Sequence, residues 1–186
     1  MNKMLLFHLR DSLSTHHNEI YRGGWTLIHY HNSKNGAFFG TIANAKIFNQ
    51  NSPGFNNDLY SIVGLIDYIK TSIAYEFRIF YPEYNKTNQW KQTFNPLSGP
   101  SSTNPVTGYQ GIKIELNTNG WGGLEFNGNN SLLDGSLYPG QWWYAIGTLN
   151  AGWGSQCSNT NYIPSDQSLS TINSCASTFK VQLWLR

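Results

Sequence analysis

The chain has 186 residues, a formal net charge of +2 and only 12% charged residues, about half the usual quarter. High aromatic content (15%, with 22 asparagines) excludes a disordered chain, and polar positions filled by Asn, Gly, Ser and Thr exclude a long helical bundle. The charge is too small for the dense basic stripe of a duplex nucleic-acid binder, and no run of about 18 apolar residues offers a transmembrane helix.

Residues 1–22 read as an arm or a short helix, with Leu5, Leu6, Leu9 and Leu13 on its apolar side. A lone short helix is marginal in water; if the molecule is an oligomer, this leucine face would pack at its symmetry axis. Met4-Leu5-Leu6-Phe7 is too short for a secretory signal. Export is therefore expected to be signalled elsewhere, unless the chain is a fragment or acts in a particle such as a phage.

Residues 23–186 read as one β-rich head domain. Trp25 to His31 is a first strand, and Asn35-Gly36 a turn. Leu59, Ile62, Val63, Ile66 and Ile69 recur at helical spacing, which predicts one packed α-helix around residues 58–70. From Tyr75 the pattern is strand-like: Tyr75, Phe77, Ile79 and Tyr81 share a face, and Pro82 ends the run. Short strands follow at Asn88–Thr93, Gly111–Leu116, Trp121–Phe126 and Gln141–Gly147, separated by Gly/Asn turns. The last strand places Phe179, Val181, Leu183 and Leu185 on one face and Trp184 on the other, so it is expected to be central. The predicted class is mainly β, with antiparallel sheets in a sandwich-like arrangement.

Cys157 and Cys175 lie in an Asn/Ser/Thr-rich segment. One disulfide between them would stabilise by roughly 3 kcal/mol; two free thiols are the other reading. Two cysteines cannot make a zinc site alone.

Three strings carry a resemblance: Asn88-Gln89-Trp90-Lys91-Gln92-Thr93, Gly120-Trp121-Gly122-Gly123-Leu124, and Leu133-Asp134-Gly135-Ser136 leading to Trp142–Gly147. Together they resemble the C-terminal head domain of bacterial collagen-like adhesins. The resemblance spans roughly residues 23–186 and implies an extracellular or cell-surface homotrimer that binds sulfated glycosaminoglycans. Gly23-Gly24-Trp25-Thr26-Leu27 resembles the opening strand of fibrinogen-like and X-type lectin domains, whose calcium residues do not carry over.

Arg78, Lys86, Lys91 and Lys113 fall in or beside strands expected to be neighbours. Arg and Lys recognise sulfate through charge-assisted hydrogen bonds. With Trp90 they form the candidate ligand-binding set. Scattered solvated lysines are the plainer reading of any one of them.

No nucleophile elbow, zinc-protease motif or phosphate loop is present, so no enzyme and no cofactor is expected. Glu115 and Glu125 are the carboxylates considered for a glycosidase pair. His29 and His31 share a strand face that could hold a metal, but no carboxylate lies at a matching offset, and no metal is assigned. Asn127–Ser131 and Asp134 are oxygen-rich, yet one carboxylate is too few for calcium, and a plain turn is the expectation. Gly120–Gly123 reads first as a core Trp over glycines where backbones approach closely, with an aromatic platform stacking on a sugar as the other reading. The expected function is adhesion through polysaccharide, without nucleic acid or membrane insertion. A phage tip for neutral cell-wall sugar and a trimerisation cap that binds no glycan are the alternatives.

Overall fold

Alternating aromatic and β-branched residues build two antiparallel sheets in the computed structural model, which describes residues 24–33, 36–52, 55–116, 118–137, 143–150 and 180–186. The large sheet holds β1 (Thr26–Asn32), β2 (Leu59–Ser61), β3 (Tyr75–Tyr81), β4 (Lys86–Gln92), β5 (Gln110–Ile114) and β9 (Lys180–Leu185). Its order is β2-β1-β9-β3-β4-β5. The small sheet is β6-β7-β8, from Trp121–Phe126, Ser131–Leu137 and Trp143–Thr148. The mainly β class is as the sequence predicts, and β9 lies inside the large sheet, between β1 and β3.

Strand side chains alternate between faces. Phe77, Ile79, Trp90, Val181, Leu183 and Leu185 therefore share the inner face of the large sheet and are all fully buried. Full burial of side chains of this size stabilises by about 1.5–3 kcal/mol each. The small sheet packs on this face. Trp121 meets Trp90 edge to face, with ring centroids 4.9 Å apart.

Two buried amides join backbone across the structure. Gln92, on β4, accepts at Oε1 from Trp90 Nε1–H (2.8 Å) and from Leu124 N–H (2.9 Å). Its Nε2 donates to Leu124 O (2.9 Å) and Phe94 O (2.9 Å). Gln92 thereby clips the large sheet to β6 of the small one. Asn88 does similar work at the other end of β4, taking Glu115 N–H and Leu116 N–H at Oδ1 and donating to Leu116 O. Gly123 sits beside the clip with φ +100°, where a Cβ would fall 2.8 Å from Gln92 Oε1 and 2.7 Å from Val106 Cγ2. The Trp121-Gly122-Gly123 string is thus a core Trp with glycines at a close approach, as expected.

The predicted helix over 58–70 is corrected in part. Leu59–Ser61 is strand β2, a 3-10 turn covers Val63–Leu65, and α-helix covers only α2, Ile66–Ile69. Tertiary pairing decides this: Tyr60 and Ser61 lie opposite Tyr30 and His29, and Ser61 also bridges Phe48. A short continuous apolar run does not separate strand from helix. A helix not foreseen, α1 (Ile42–Lys46), is capped by Thr41, whose Oγ1 accepts from Asn44 N–H at 3.2 Å. The N-terminal arm (1–22), Trp142, and the Cys157 and Cys175 pair lie outside the described residues.

Candidate functional site

The outer face of the large sheet carries the polar half of each alternation. Register places its residues in two cross-strand rows. Trp184 (β9), Arg78 (β3), Gln89 (β4) and Lys113 (β5) form the first. Arg186, Glu76, Lys91 and Gln110 form the second, with Arg186 N–H donating to Glu76 O at 3.0 Å. Strands lie about 4.8 Å apart and alternate residues about 7 Å apart. Arg78 and Lys113 are therefore roughly 10 Å apart in one row, and Arg186 and Lys91 are spaced alike in the next.

Aromatic rings orient the guanidinium groups. Arg78 Cζ lies 4.9 Å from the Trp25 ring centroid and 5.1 Å from that of Trp184. Arg186 Cζ lies 4.8 Å from Trp25. A ring face at such a distance attracts the cation electrostatically.

One carboxylate sits among these cations. Glu76 Oε1 accepts from Arg186 Nη2 at 2.6 Å and from Gln89 Nε2 at 2.9 Å. Lys91 Nζ is 3.6 Å from Oε2. The Glu76 side chain is 9% exposed, against 44% for Lys91 and 41% for Arg186. Lys113 pairs with Glu115 at 3.1 Å, and this hydrogen bond holds the Glu115 carboxyl below its ordinary range.

Of the sequence-predicted residues, Arg78, Lys91 and Lys113 share this face. Lys86 does not: it lies opposite Tyr81 on the inward pleat of β4, half-buried. Trp90 is a correction. Its neighbour Lys91 points outward, so Trp90 must point inward; it is fully buried, 5.5 Å from Phe77 and bonded to Gln92. It is a core indole and not a surface platform. Arg186, Glu76, Gln89 and Trp25 escaped sequence reasoning. The alternation Gln182, Trp184, Arg186 carried a signal for the first, because it continues the outward set of β9.

The remaining candidates fall elsewhere. Glu115 follows the end of β5 in the large sheet while Glu125 lies in β6 of the small one, and the carboxylate beside Glu125 is Asp134, directly opposite across β6 and β7. Burial raises the carboxyl of Asp134 to about 6, and the Glu125 charge adds to this. Asp134 Oδ2 accepts from Asn127 Nδ2 at 2.8 Å, while Oδ1 is buried without a hydrogen bond. Asn127 Oδ1 accepts from Asn129 N–H and Asn130 N–H, which makes 127–131 the expected turn. His29 and His31 are fully buried on the inner face. His29 Nε2 accepts from Gly147 N–H at 3.4 Å, and His31 Nε2 donates to Ala37 O at 2.8 Å. Among the described residues no group of three or more His, Cys, Asp or Glu is placed to hold a metal ion, and no helix is long and apolar enough to cross a membrane.

No known protein family, curated protein or solved structure matches the chain.

Proposed function

We propose that this chain is a non-catalytic, adhesin-type binding head for anionic polysaccharide, with sulfated glycosaminoglycan as the ligand class, acting at a cell surface as a homotrimer. The observation that supports it is the placement of Arg78, Lys113, Arg186 and Lys91 in two adjacent register rows on one face. Sulfate and carboxylate oxygens accept charge-assisted hydrogen bonds from such groups. Three cations on paired strands, with Arg186 directly after β9, meet several anionic groups of one extended chain without reordering the sheet. Gln89 adds an uncharged donor between Arg78 and Lys113, suited to sugar hydroxyls. Three copies would multiply a modest single-site affinity through avidity.

Isothermal titration with heparin-like chains at two salt concentrations tests this reading. Polyanion binding that releases counterions weakens steeply with salt. Lys91→Gln with Lys113→Gln is expected to reduce the slope of log K against log salt by roughly two charges' worth, and Lys86→Gln to leave it unchanged. Absence of binding by the unaltered chain at low salt overturns the proposal.

A further inference from the structure

We infer that Glu76 is an internal competitor for the anionic ligand of this face, an inference that rests on the reading above. Its carboxylate occupies the donors that an incoming anion would use: Arg186 at 2.6 Å, Gln89 at 2.9 Å and Lys91 at 3.6 Å. The carboxylate is nearly buried, while both cations are more than two-fifths exposed. The cations can therefore swing toward solvent, whereas Glu76 stays on the sheet. A ligand must displace a carboxylate that is already in place and never diffuses away.

That competition sets specificity. A polysaccharide with one carboxylate per repeat offers the same group that Glu76 supplies, and gains little by exchange. A sulfated chain offers more charge and more acceptor oxygens per length, and reaches the Arg78–Lys113 row as well as the Arg186–Lys91 row. Discrimination then comes from a penalty against the weaker ligand as much as from contacts to the stronger one.

The test is titration of heparin fragments and of hyaluronan, a carboxylate-only chain, into the unaltered chain and the folded Glu76→Gln variant. Glu76→Gln is expected to bind heparin about threefold to fivefold more tightly, on the scale of one exposed ion pair released. The salt slope should steepen by about one charge, and hyaluronan should gain more than heparin. Glu76→Asp, with its carboxylate drawn back by one methylene, gives a smaller gain in the same direction. Should Glu76→Gln unfold, Glu76→Asp alone decides. The double variant Glu76→Gln/Arg186→Gln should lose most of the gain. Unchanged or weaker heparin binding by a folded variant, or a gain that survives in the double variant, overturns the inference and leaves the polysaccharide reading intact. If no form binds heparin at low salt, that reading fails and the inference with it.

Discussion

Replacing Gln92 with leucine removes the amide that clips β4 to β6 while nearly preserving side-chain volume. Four groups lose their partner: Trp90 Nε1–H, Leu124 N–H, Leu124 C=O and Phe94 C=O. Gln92 is fully buried, so water does not readily replace it. A buried donor or acceptor left unmade costs about 1–3 kcal/mol. At roughly 1 kcal/mol for each, the substitution costs about 4 kcal/mol, a large share of the 5–15 kcal/mol that keeps typical domains folded. Urea unfolding followed by tryptophan fluorescence reads this directly, since Trp90 and Trp121 sit at the clip. The expected result is a lower midpoint with an unchanged slope. Gln110→Ala, on the exposed edge strand β5, should stay within about 0.5 kcal/mol of the unaltered chain. A loss below about 1 kcal/mol for Gln92→Leu would refute the reasoning, because the orphaned groups would then have found other partners at no cost.

Three buried groups shape the pH response, the two histidines in one direction and Asp134 in the other. Burial lowers His31 from 6.5 to about 4, against the Ala37 hydrogen bond and the Asp58 charge, and lowers His29 too, with the His31 charge adding to the shift. Their folded-state values lie below the unfolded one, so stability is complete above about pH 6.5 and falls as pH drops toward 4; His31 alone accounts for about 3 kcal/mol over that span. Urea midpoints from pH 7 to 5 should decline and should decline less in His31→Phe; a flat profile contradicts this. Asp134 is raised from 3.8 to about 6, so its charged form is the penalised one, and its share of stability is regained as pH falls through 6. Asp134→Asn should therefore stabilise at pH 7.5 by up to about 3 kcal/mol and change little near pH 4. A destabilised variant at pH 7.5, measured by thermal melting, would show that the carboxylate is needed as an acceptor for Asn127.

The parts of the fold that could be read early are those where one face is buried and the alternation is clean. Tyr75 to Tyr81 and Val181 to Leu185 are such cases, and both hold their predicted faces. Leu59–Ser61 could not be read because all three residues are buried, which erases any period. The cation face was half readable. Arg78, Lys91 and Lys113 are identified from charge and meet through the β3–β4–β5 register, as expected of neighbouring strands, whereas Arg186 and Trp184 join them only through the β9–β3 pairing, between residues more than a hundred positions apart. Trp90 was misjudged because motif strings do not carry parity: adjacent residues in a strand cannot serve the same face. The amides deceived in another way. Asn and Gln look like surface residues in composition, yet Asn88 and Gln92 are fully buried and bonded.

The place of β9 has a kinetic consequence. Without it the large sheet is two pieces: β1 with β2, and β3 with β4 and β5. The β1–β9 pairing joins Thr26 to Leu185, a loop closure over most of the chain, whereas the β6–β7 hairpin closes within a few residues. Distant pairings form late and slowly. Until β9 arrives, β1 and β3 each present an open strand edge, the kind of surface on which nascent chains stick to one another. Synthesis of this chain must therefore protect two unpaired edges for as long as the final strand is missing.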